Sequence, residues 1–427
     1  MPSRSVGSQS ALRESNRSLV VGALRASGTL IQAELARITG LSAATVSNIV
    51  RDLSNDGLLR VTTTVSGGRR ARAVSLDRSV GVAAGIDFGR RHVRVTLADL
   101  SHQILGEEEI EIEPRLPAAQ EIAAANKVLH EILDRAGVGT DAVVAVGAGV
   151  PGPIDARDGQ VGSASILPEW VGLNAAQAIG AELGLDVAVD NDANLGALAE
   201  LTWGAARGHR DVVYIKIATG VGAGLVVGGE LHRGHIGTAG EIGHLTMDEN
   251  GQVCRCGNRG CLETVASATI VLDLLSRSHG PDLTIADVVR LAADGDAACM
   301  RVIGDVGRHV GIAAANLCNL LNPSIVVVGG SLAAADHVLL DPMRASVSRY
   351  AIPAVGASTE IVASALGPRA ESLGALALAL RKSVPIAALG SGGKYHGLDS
   401  VLSLRLDAKG GDAFTDNPRP DSNAGRS

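Results

Sequence analysis

The sequence predicts an α/β protein in two parts, an N-terminal winged helix-turn-helix followed by a larger domain of sheets and helices. Three observations support this fold class. Three short amphipathic segments precede a β-branched hairpin within the first 78 residues. From Val80 onward, apolar strand segments alternate with Ala-rich helical segments, which is typical of α/β domains. The basic residues are concentrated in the first part, whereas the second part is acidic.

The winged helix-turn-helix is assigned to residues 12–78, after a short disordered N-terminus at residues 1–11. Apolar residues recur at helical spacing in three segments between residues 16 and 53. The third segment follows Ser42, a favourable helix N-cap. The runs LLRVTTTV and RRARAVSL then form a predicted hairpin around Ser-Gly-Gly. Three helices and a hairpin in this order are typical of a winged helix-turn-helix.

The third helix presents a face suited to a DNA groove. Its apolar residues fall at i, i+3, i+4 and i+7, so small and polar side chains remain on the other side. Small residues allow close approach to base edges, and arginines in a glycine-containing wing suit phosphates or a narrow minor groove. The predicted DNA-contacting residues are Ser42, Ala44, Thr45, Ser47, Asn48, Arg51, Arg69, Arg70 and Arg72. The alternative is a protein-interaction module whose polar face is merely solvated.

The larger domain is assigned to residues 80–382. Predicted strands include GVAAGIDFG, DAVVAVGAGV, VVYIKIATG and SIVVVGG. Between them lie Ala-rich helical segments at residues 118–136, 173–184, 193–206, 284–293 and 298–321. The last segment, residues 383–427, is rich in Gly, Ser, Asp and Asn, so we expect a disordered tail there.

Charge and composition exclude several classes of protein. The 427 residues carry a net charge of −7, but residues 1–78 hold 11 Arg and 5 acidic residues, a net of +6. Aromatic residues make up 2% of the chain, which argues against stacking of single-stranded nucleic acid. Five cysteines are too few for a disulfide framework, and no signal peptide or membrane-spanning run is present. We therefore expect a cytoplasmic protein without membrane insertion.

One short segment has the composition of a metal site. In GEIGHLTMDENGQVCRCGNRGCLE, one histidine and three closely spaced cysteines offer four ligands for a tetrahedral zinc ion. The predicted ligands are His244, Cys254, Cys256 and Cys261. Such a site is closed by protein ligands and therefore structural, with one zinc per chain. The alternative is three incidental thiols; Cys299 and Cys318 have apolar surroundings and are assigned to the core.

Glycine-rich segments indicate a small-molecule cleft. GAGVPGPID at 147–155, ATGVGAGL at 218–225 and GHIGTAGEIGH at 234–244 flank the cluster Asp190-Asn191-Asp192 at a strand end. Carboxylates and amides hold the hydroxyls of polyols, and a carboxylate beside a hydroxyl can act as a general base. The alternative is that the cluster only caps a helix and the glycines only turn the chain.

Together these motifs resemble the ROK family, which comprises sugar kinases and transcriptional regulators. The resemblance spans about residues 12–382, with CRCGNRGCLE as the most specific motif. It implies a two-lobed actin-like sugar-kinase (ribonuclease H-like) ATPase fold with a lobe boundary near residue 190. It also implies His244 and the three cysteines as zinc ligands and Asp192 as the catalytic base of a kinase. The ligand-binding residues that it implies are Gly152, Asn191, Asp192, Glu241, His244 and Glu263.

Two features favour a regulator over a kinase. The N-terminal extension carries the DNA-binding pattern, as in the family's regulators. Kinases of the family have Asp-x-Gly-Gly-Thr at the first phosphate loop, whereas here Arg90 and Arg91 follow Asp87-Phe88-Gly89. Bulky side chains obstruct the approach of phosphate to the backbone, although guanidinium groups also bind phosphate.

The sequence therefore predicts a sugar-responsive transcriptional regulator of the repressor type, with no catalytic residue in use. We expect it to bind a palindromic double-stranded operator as a homodimer or homotetramer, because two recognition helices must meet two half-sites. The alternative is an ATP-dependent sugar kinase with an accessory DNA-binding domain, in which Asp192 is the base. An interaction protein that binds a transporter component is a third hypothesis, compatible with the first.

Overall fold

The computed structural model describes residues 7–381, except residues 67 and 163–164. The expected disordered tail, residues 383–427, and the first six residues therefore lie outside the described part of the chain. The described residues form three β-sheets with helices packed around them. None of the described helices is both long enough and apolar enough to cross a membrane.

The N-terminal domain is a winged helix-turn-helix, as predicted. Its strands form an antiparallel sheet in the order β1-β3-β2, and the β2–β3 hairpin is the wing. Its elements are α1 (Gly7–Ser27), β1 (Leu30–Ile31), α2 (Gln32–Thr39), α3 (Ala43–Asn55), β2 (Leu59–Ser66) and β3 (Arg69–Leu76).

The first helix starts earlier than expected. Because α1 begins at Gly7, the expectation that residues 7–11 are disordered is wrong. The later turns of this helix are anchored by Val20 and Leu24, which are fully buried. Once a helix is nucleated, each further residue adds a hydrogen bond at little cost, so the polar residues before Leu12 extend it.

Helix α3 has the amphipathic form that its sequence indicates. Ser42 caps its N-terminus, with Oγ accepting a hydrogen bond from the backbone N–H of Thr45 at 3.1 Å. Gly40 ends α2 with φ of 70°, a conformation that favours glycine. The buried side chains of α3 are Val46, Ile49, Val50 and Leu53. The opposite face of the helix is therefore free to contact a partner.

The first lobe of the larger domain contains a five-stranded sheet in the order β6-β5-β4-β7-β8. β4, β5 and β6 are antiparallel neighbours, whereas β4, β7 and β8 run parallel. Helix α4 packs against β5 and β6. The elements are β4 (Val82–Phe88), β5 (His92–Asp99), β6 (Ile104–Glu111), α4 (Ala118–Ala136), β7 (Val143–Val150), α5 (Ala175–Leu183) and β8 (Val187–Asn191).

The second lobe contains another five-stranded sheet, in the order β11-β10-β9-β12-β13. β9, β12 and β13 are parallel, and β10 is antiparallel to β9. The elements are α6 (Asp192–Trp203), β9 (Val212–Ile217), β10 (Val221–Val227), β11 (Glu230–Leu231), α7 (Glu263–Ala266), α8 (Ala268–His279), α9 (Ile285–Ala293), α10 (Ala297–Leu321), β12 (Ile325–Gly329), α11 (His337–Tyr350), α12 (Pro353–Ser358), β13 (Glu360–Ala363) and α13 (Ala370–Arg381).

Helices α6 and α13 join the lobes to each other and to the N-terminal domain. α13 packs against β4, β7 and α6. Gly374 allows this close approach, because a Cβ there would overlap the backbone of Leu195. On its other side α13 contacts α1, where the buried Arg25 guanidinium donates a hydrogen bond to the carbonyl of Ala379 at 3.3 Å. The N-terminal domain is thus packed onto the helices that hold the two lobes together.

Candidate functional site

A cavity of about 730 Å³ lies between the two lobes. Its walls come from the carboxyl ends of strands and from the loops that follow them, the usual position of ligand sites in α/β folds. Five of the six predicted ligand-binding residues line it: Gly152, Asn191, Asp192, Glu241 and Glu263. The sixth, His244, is not among the described lining residues; its ring lies behind Glu241, with Nε2 at 3.9 Å from Glu241 Oε2.

Asn191 links the proline-glycine loop to the start of α6. Its side-chain oxygen accepts a hydrogen bond from the backbone N–H of Ala193 at 2.8 Å, so the residue does cap the helix. Its Nδ2 donates to the backbone carbonyl of Gly152 at 2.9 Å. Gly152 has φ of 124°, and a Cβ there would crowd Ser165. Asn191 therefore both caps α6 and holds the glycine loop that forms part of the cavity wall.

Asp192, which lines the cavity where α6 begins, is held in an ion pair. Lys216 on β9 places Nζ at 2.9 Å from Asp192 Oδ2 and at 3.1 Å from Glu371 Oε1. Burial by itself lowers the pKa of Lys216, but the charges of Asp192 and Glu371 outweigh it and raise the pKa well above its usual value. The lysine is therefore a permanent cation beneath Asp192.

The loop between β4 and β5 is closed by a histidine. His92 Nε2 lies 2.9 Å from Asp87 Oδ2, and the backbone N–H of Gly89 donates to the carbonyl of His92 at 2.9 Å. A Cβ on Gly89 would overlap the imidazole ring. Burial opposes the charge of both side chains, but their hydrogen bond and mutual attraction prevail, so the pKa of His92 is raised and that of Asp87 is lowered.

The second lobe contributes two more carboxylates. Glu263 Oε2 lies 2.8 Å from the guanidinium of Arg255 and accepts a hydrogen bond from the backbone N–H of Val221 at 3.3 Å. Burial raises the pKa of Glu241 to about 7, with the charge of Asp192 adding to the effect. Arg255 lies between two of the predicted metal ligands, so the cysteine-rich loop itself reaches the cleft.

The four predicted metal ligands come together. Cys254 Sγ lies 3.6 Å from His244 Nδ1, and Cys256 Sγ lies 3.7 Å from Cys261 Sγ. All four ligand atoms lie within 4.8 Å of one another, so the cluster could hold a metal ion. This spacing fits a tetrahedral ion with bonds of roughly 2.0–2.3 Å, and the donor set is one that zinc prefers. Cys299 and Cys318 are buried in α10, as predicted.

Most of the predicted DNA-contacting residues are exposed. Thr45 is half-buried, with its hydroxyl 2.8 Å from that of Ser42. The side chain of Arg69 is outside what the structure describes, although its backbone lies in β3. The exposed residues of the set are Ser42, Ala44, Ser47, Asn48, Arg51, Arg70 and Arg72.

Residues that sequence reasoning missed complete the site. Lys216 is the one polar residue in the apolar strand VVYIKI apart from a tyrosine hydroxyl, a pattern that signals a buried charge. Glu371 lies 155 positions further along the chain, and no local pattern connects the two. His92 follows Asp87 by five residues in a β-hairpin, where the spacing itself suggests a contact.

Known proteins share this architecture. The ROK family model matches residues 83–382 and the MarR family model matches residues 15–70. The xylose repressor of Bacillus subtilis (strain 168) is 29% identical over 86% of this chain and 96% of its own length. The DNA-binding transcriptional dual regulator NagC of Escherichia coli (strain K12) is 31% identical over 88% of this chain and 95% of its own length.

Solved structures of two ROK family proteins have a similar fold. A ROK family transcriptional regulator, a homologue of the Escherichia coli Mlc protein, matches with a TM-score of 0.72 and 27% identity, covering 89% of this chain and all of the other. A ROK family glucokinase from Streptomyces griseus, solved with glucose and AMPPNP, matches with a TM-score of 0.61 and 28% identity, covering 71% of this chain and all of that one.

A winged helix-turn-helix joined to a two-lobed sugar-kinase-like domain defines a DNA-binding transcriptional regulator with a small-molecule sensor. The chain belongs to the ROK family. With repressors among its full-length relatives, it is a sugar-responsive DNA-binding protein of the repressor class.

Proposed function

We propose that this regulator binds its operator through α3 and the wing, binds a sugar between the lobes, and transmits sugar binding through α6 and α13. The observation that carries the proposal is the path of α13. Glu371 in its first turn is bound to Lys216 under the cleft, and Ala379 near its end accepts a hydrogen bond from Arg25 of α1. A change of lobe closure therefore acts on the helix that carries the DNA-binding domain.

In this proposal α3 lies in the major groove. Ala44 and Ser47 permit close approach, and Asn48 is placed to meet an adenine edge. Ser42 and Thr45 lie at the helix N-terminus, where backbone N–H groups favour phosphate, and Arg51 further along the helix contacts the DNA backbone. Arg69, Arg70 and Arg72 of the wing contact phosphates or the minor groove. A homodimer presents two such surfaces to a palindromic operator.

The sugar hydroxyls are bound by polar residues that line the cleft. Asp192 and Glu263 accept hydrogen bonds from hydroxyls, and Asn191 and Gly152 form the wall beside the ring. Glu241 extends this polar wall toward His244, which joins the sugar site to the metal cluster. Several fixed carboxylates of this kind suit a polyol, because each accepts from adjacent hydroxyls.

We infer that the chain does not use the cleft for phosphoryl transfer. A general base must accept a proton from the sugar hydroxyl, but Asp192 Oδ2 is held by Lys216 Nζ at 2.9 Å. Asp87 is likewise occupied by His92, and the Gly89 N–H is bound within its own loop.

A sugar kinase with an accessory DNA-binding domain is the second candidate, favoured by the likeness to the glucokinase. An assay of ADP release coupled to a chromogenic reaction, run across hexoses, pentoses and amino sugars, separates the two. The regulator hypothesis predicts no sugar-dependent ADP release. Turnover that is lost in Asp192→Asn and retained in the matched Asp158→Asn control would establish the kinase.

Zinc is the metal we propose for the histidine-cysteine cluster. His244, Cys254, Cys256 and Cys261 would hold it, and with four protein ligands the ion supplies rigidity. The rigid loop in turn sets the position of Arg255, and therefore of Glu263, in the cleft.

A further inference from the structure

We propose that His279, Asp296 and Cys299 form a further metal site, separate from the histidine-cysteine cluster, which binds a divalent cation such as zinc from solution. The three residues come from two helices of the second lobe. His279 is the last residue of α8, Asp296 is the N-cap of α10, and Cys299 lies in the first turn of α10. One ligand atom from each, a ring nitrogen, a carboxylate oxygen and a sulfur, lies within 4.8 Å of the other two. Nitrogen, oxygen and sulfur are the donors that zinc accepts in proteins.

The histidine and the aspartate already have the spacing of a ligand pair. His279 Nε2 lies 3.3 Å from Asp296 Oδ2. A tetrahedral ion with bonds of roughly 2.0–2.3 Å keeps its ligand atoms about 3.3–3.7 Å apart. The other ring nitrogen of His279, Nδ1, lies 2.8 Å from Ser278 Oγ. Histidines that bind metals usually make a hydrogen bond with their second nitrogen, which fixes the orientation of the ring.

The helix cap orients the carboxylate of Asp296. Its Oδ1 accepts a hydrogen bond from the backbone N–H of Cys299 at 2.8 Å, so Oδ2 is the oxygen directed at His279. The Cys299 side chain is fully buried, whereas the side chains of His279 and Asp296 are 17% and 32% exposed. An ion therefore reaches the thiol from solvent between the imidazole and the carboxylate.

Three protein ligands leave the fourth position of a tetrahedral ion to water. Because this site has one ligand fewer than the histidine-cysteine cluster, we expect it to lose its ion on dialysis. The dialysed protein then keeps about one zinc ion per chain, in the histidine-cysteine cluster, and binds a second ion when free metal is supplied.

An ion at this site connects the two ends of a segment that borders the sugar cleft. Residues 280–295, which include α9, join His279 to Asp296. Residues 281–285 of this segment line the cavity between the lobes. Joining the ends of a segment removes conformations that it could otherwise adopt. The bound ion therefore holds one wall of the cavity in place.

The test is a titration of the dialysed full-length protein with Co²⁺, a spectroscopic probe of zinc sites. We expect one cobalt ion to bind per chain, with the visible bands of tetrahedral cobalt and a thiolate-to-cobalt band, while mass spectrometry shows that the resident zinc is retained. Zn²⁺ should displace the cobalt. It should also raise the melting temperature, because the site exists only in the folded chain.

Variants assign the ion to these residues. Asp296→Asn removes the charged ligand but keeps a residue that caps α10 well. Cys299→Ser removes the thiolate. Each should weaken cobalt binding by at least about ten-fold, the loss already seen when a residue that only supports a metal ligand is removed. Cys318→Ser, which changes another buried cysteine of α10 outside the cluster, is the matched control and should bind cobalt as the wild type does.

Hydrogen exchange measures the effect on the cavity wall. Zn²⁺ should slow the exchange of amides in residues 280–295 of the wild type and leave their exchange unchanged in Asp296→Asn. Unfolding curves of the dialysed proteins show whether each variant is folded before metal is added.

Failure to bind a second ion overturns the proposal, as does a second ion that both folded variants bind with wild-type affinity. A thiolate-to-cobalt band that persists in Cys299→Ser also contradicts it. Metal binding without slower exchange in residues 280–295 contradicts the effect on the cavity wall. None of these measurements uses a sugar or DNA, so their outcome is independent of the proposed function.

Discussion

The imidazole of His102 lies 2.7 Å from the backbone carbonyl oxygen of Arg25, near the end of α1. On the other side of the ring, Trp203 Nε1 donates a hydrogen bond to His102 Nδ1 at 3.2 Å. Nδ1 is therefore the acceptor and Nε2–H the donor, which defines the neutral tautomer. Trp203 ends α6, and Asp192 begins it, so this contact joins the far end of the cleft helix to the DNA-binding domain.

The first prediction concerns this contact. His102→Ala should leave sugar affinity within about two-fold of the wild type but reduce the effect of sugar on operator affinity, because the link between α6 and α1 is lost. Calorimetry measures the sugar affinity, and fluorescence anisotropy measures the DNA affinity with and without sugar. The matched control is His130→Ala, an exposed histidine whose Nδ1 lies 2.8 Å from the Asn126 carbonyl oxygen of the same helix. If sugar changed the operator affinity of His102→Ala as much as that of the wild type, transmission through His102 would be contradicted.

The second prediction separates base recognition from phosphate contacts. Asn48→Ala should weaken operator binding by about 1–3 kcal/mol and relax sequence preference, since the amide is placed to meet a base edge. Arg72→Gln should weaken binding to all sequences similarly and reduce the salt dependence by about one ion. Anisotropy titrations over a range of salt concentrations distinguish these patterns. Arg37→Gln, on α2, is the control, and uniform weakening by Asn48→Ala would argue against its assigned role.

Metal removal is the subject of the third prediction. A chelator should release about one zinc ion per chain, lower the melting temperature of the larger domain and weaken sugar binding, because the loop that carries Arg255 loses its anchor. Mass spectrometry measures the released metal, scanning calorimetry the melting temperature, and titration calorimetry the affinity for sugar. Cys261→Ser should reproduce them, whereas Cys299→Ser should release no metal. Full stability and sugar binding without metal would refute the structural role.

The fourth prediction is a pH dependence that arises far from the cleft. Burial raises the pKa of Glu121 to about 7, even though Trp170 Nε1 donates a hydrogen bond to it at 2.7 Å. The unfolded value is about 4.3, so between these two values the folded state binds more protons and stability falls as pH rises. Above the pKa of Glu121 in the folded state, this contribution to stability is completely lost.

Glu121→Gln should abolish this contribution, because the amide oxygen still accepts from Trp170 and carries no charge. Urea unfolding at about pH 5 and about pH 8 measures the effect, and we expect the variant to gain on the order of 2 kcal/mol over the wild type between them. Equal pH dependence of the two proteins would show that Glu121 ionises freely in the folded state.

Local patterns predicted much of this molecule. The winged helix-turn-helix followed from apolar spacing in α3 and from a basic hairpin, and the metal cluster from three cysteines within eight positions. Five of the six expected cleft residues line the cavity, and three of them, Gly152, Asn191 and Asp192, do so because they lie at the ends of neighbouring parallel strands. Each of these features is encoded over a few consecutive residues.

Long-range pairs could not be predicted in the same way. Lys216 contacts Glu371, and His102 contacts Arg25, although each pair is far apart in the sequence. These contacts form only because α13 and α1 pack against the rest of the protein. The start of α1 at Gly7 was also missed, because its polar first turns have no apolar periodicity and continue a helix that is stabilised further along.

Coupling between the sugar site and the DNA-binding domain is tested most directly by operator affinity, measured by fluorescence anisotropy at zero and saturating effector. The DNA is first enriched from a random pool with the full-length protein, and the effector is the sugar identified by calorimetry. We expect the effector to change the dissociation constant for the operator by about five-fold or more, and the operator to change the affinity for the effector by the same factor. Identical operator affinity with and without a bound effector would contradict it.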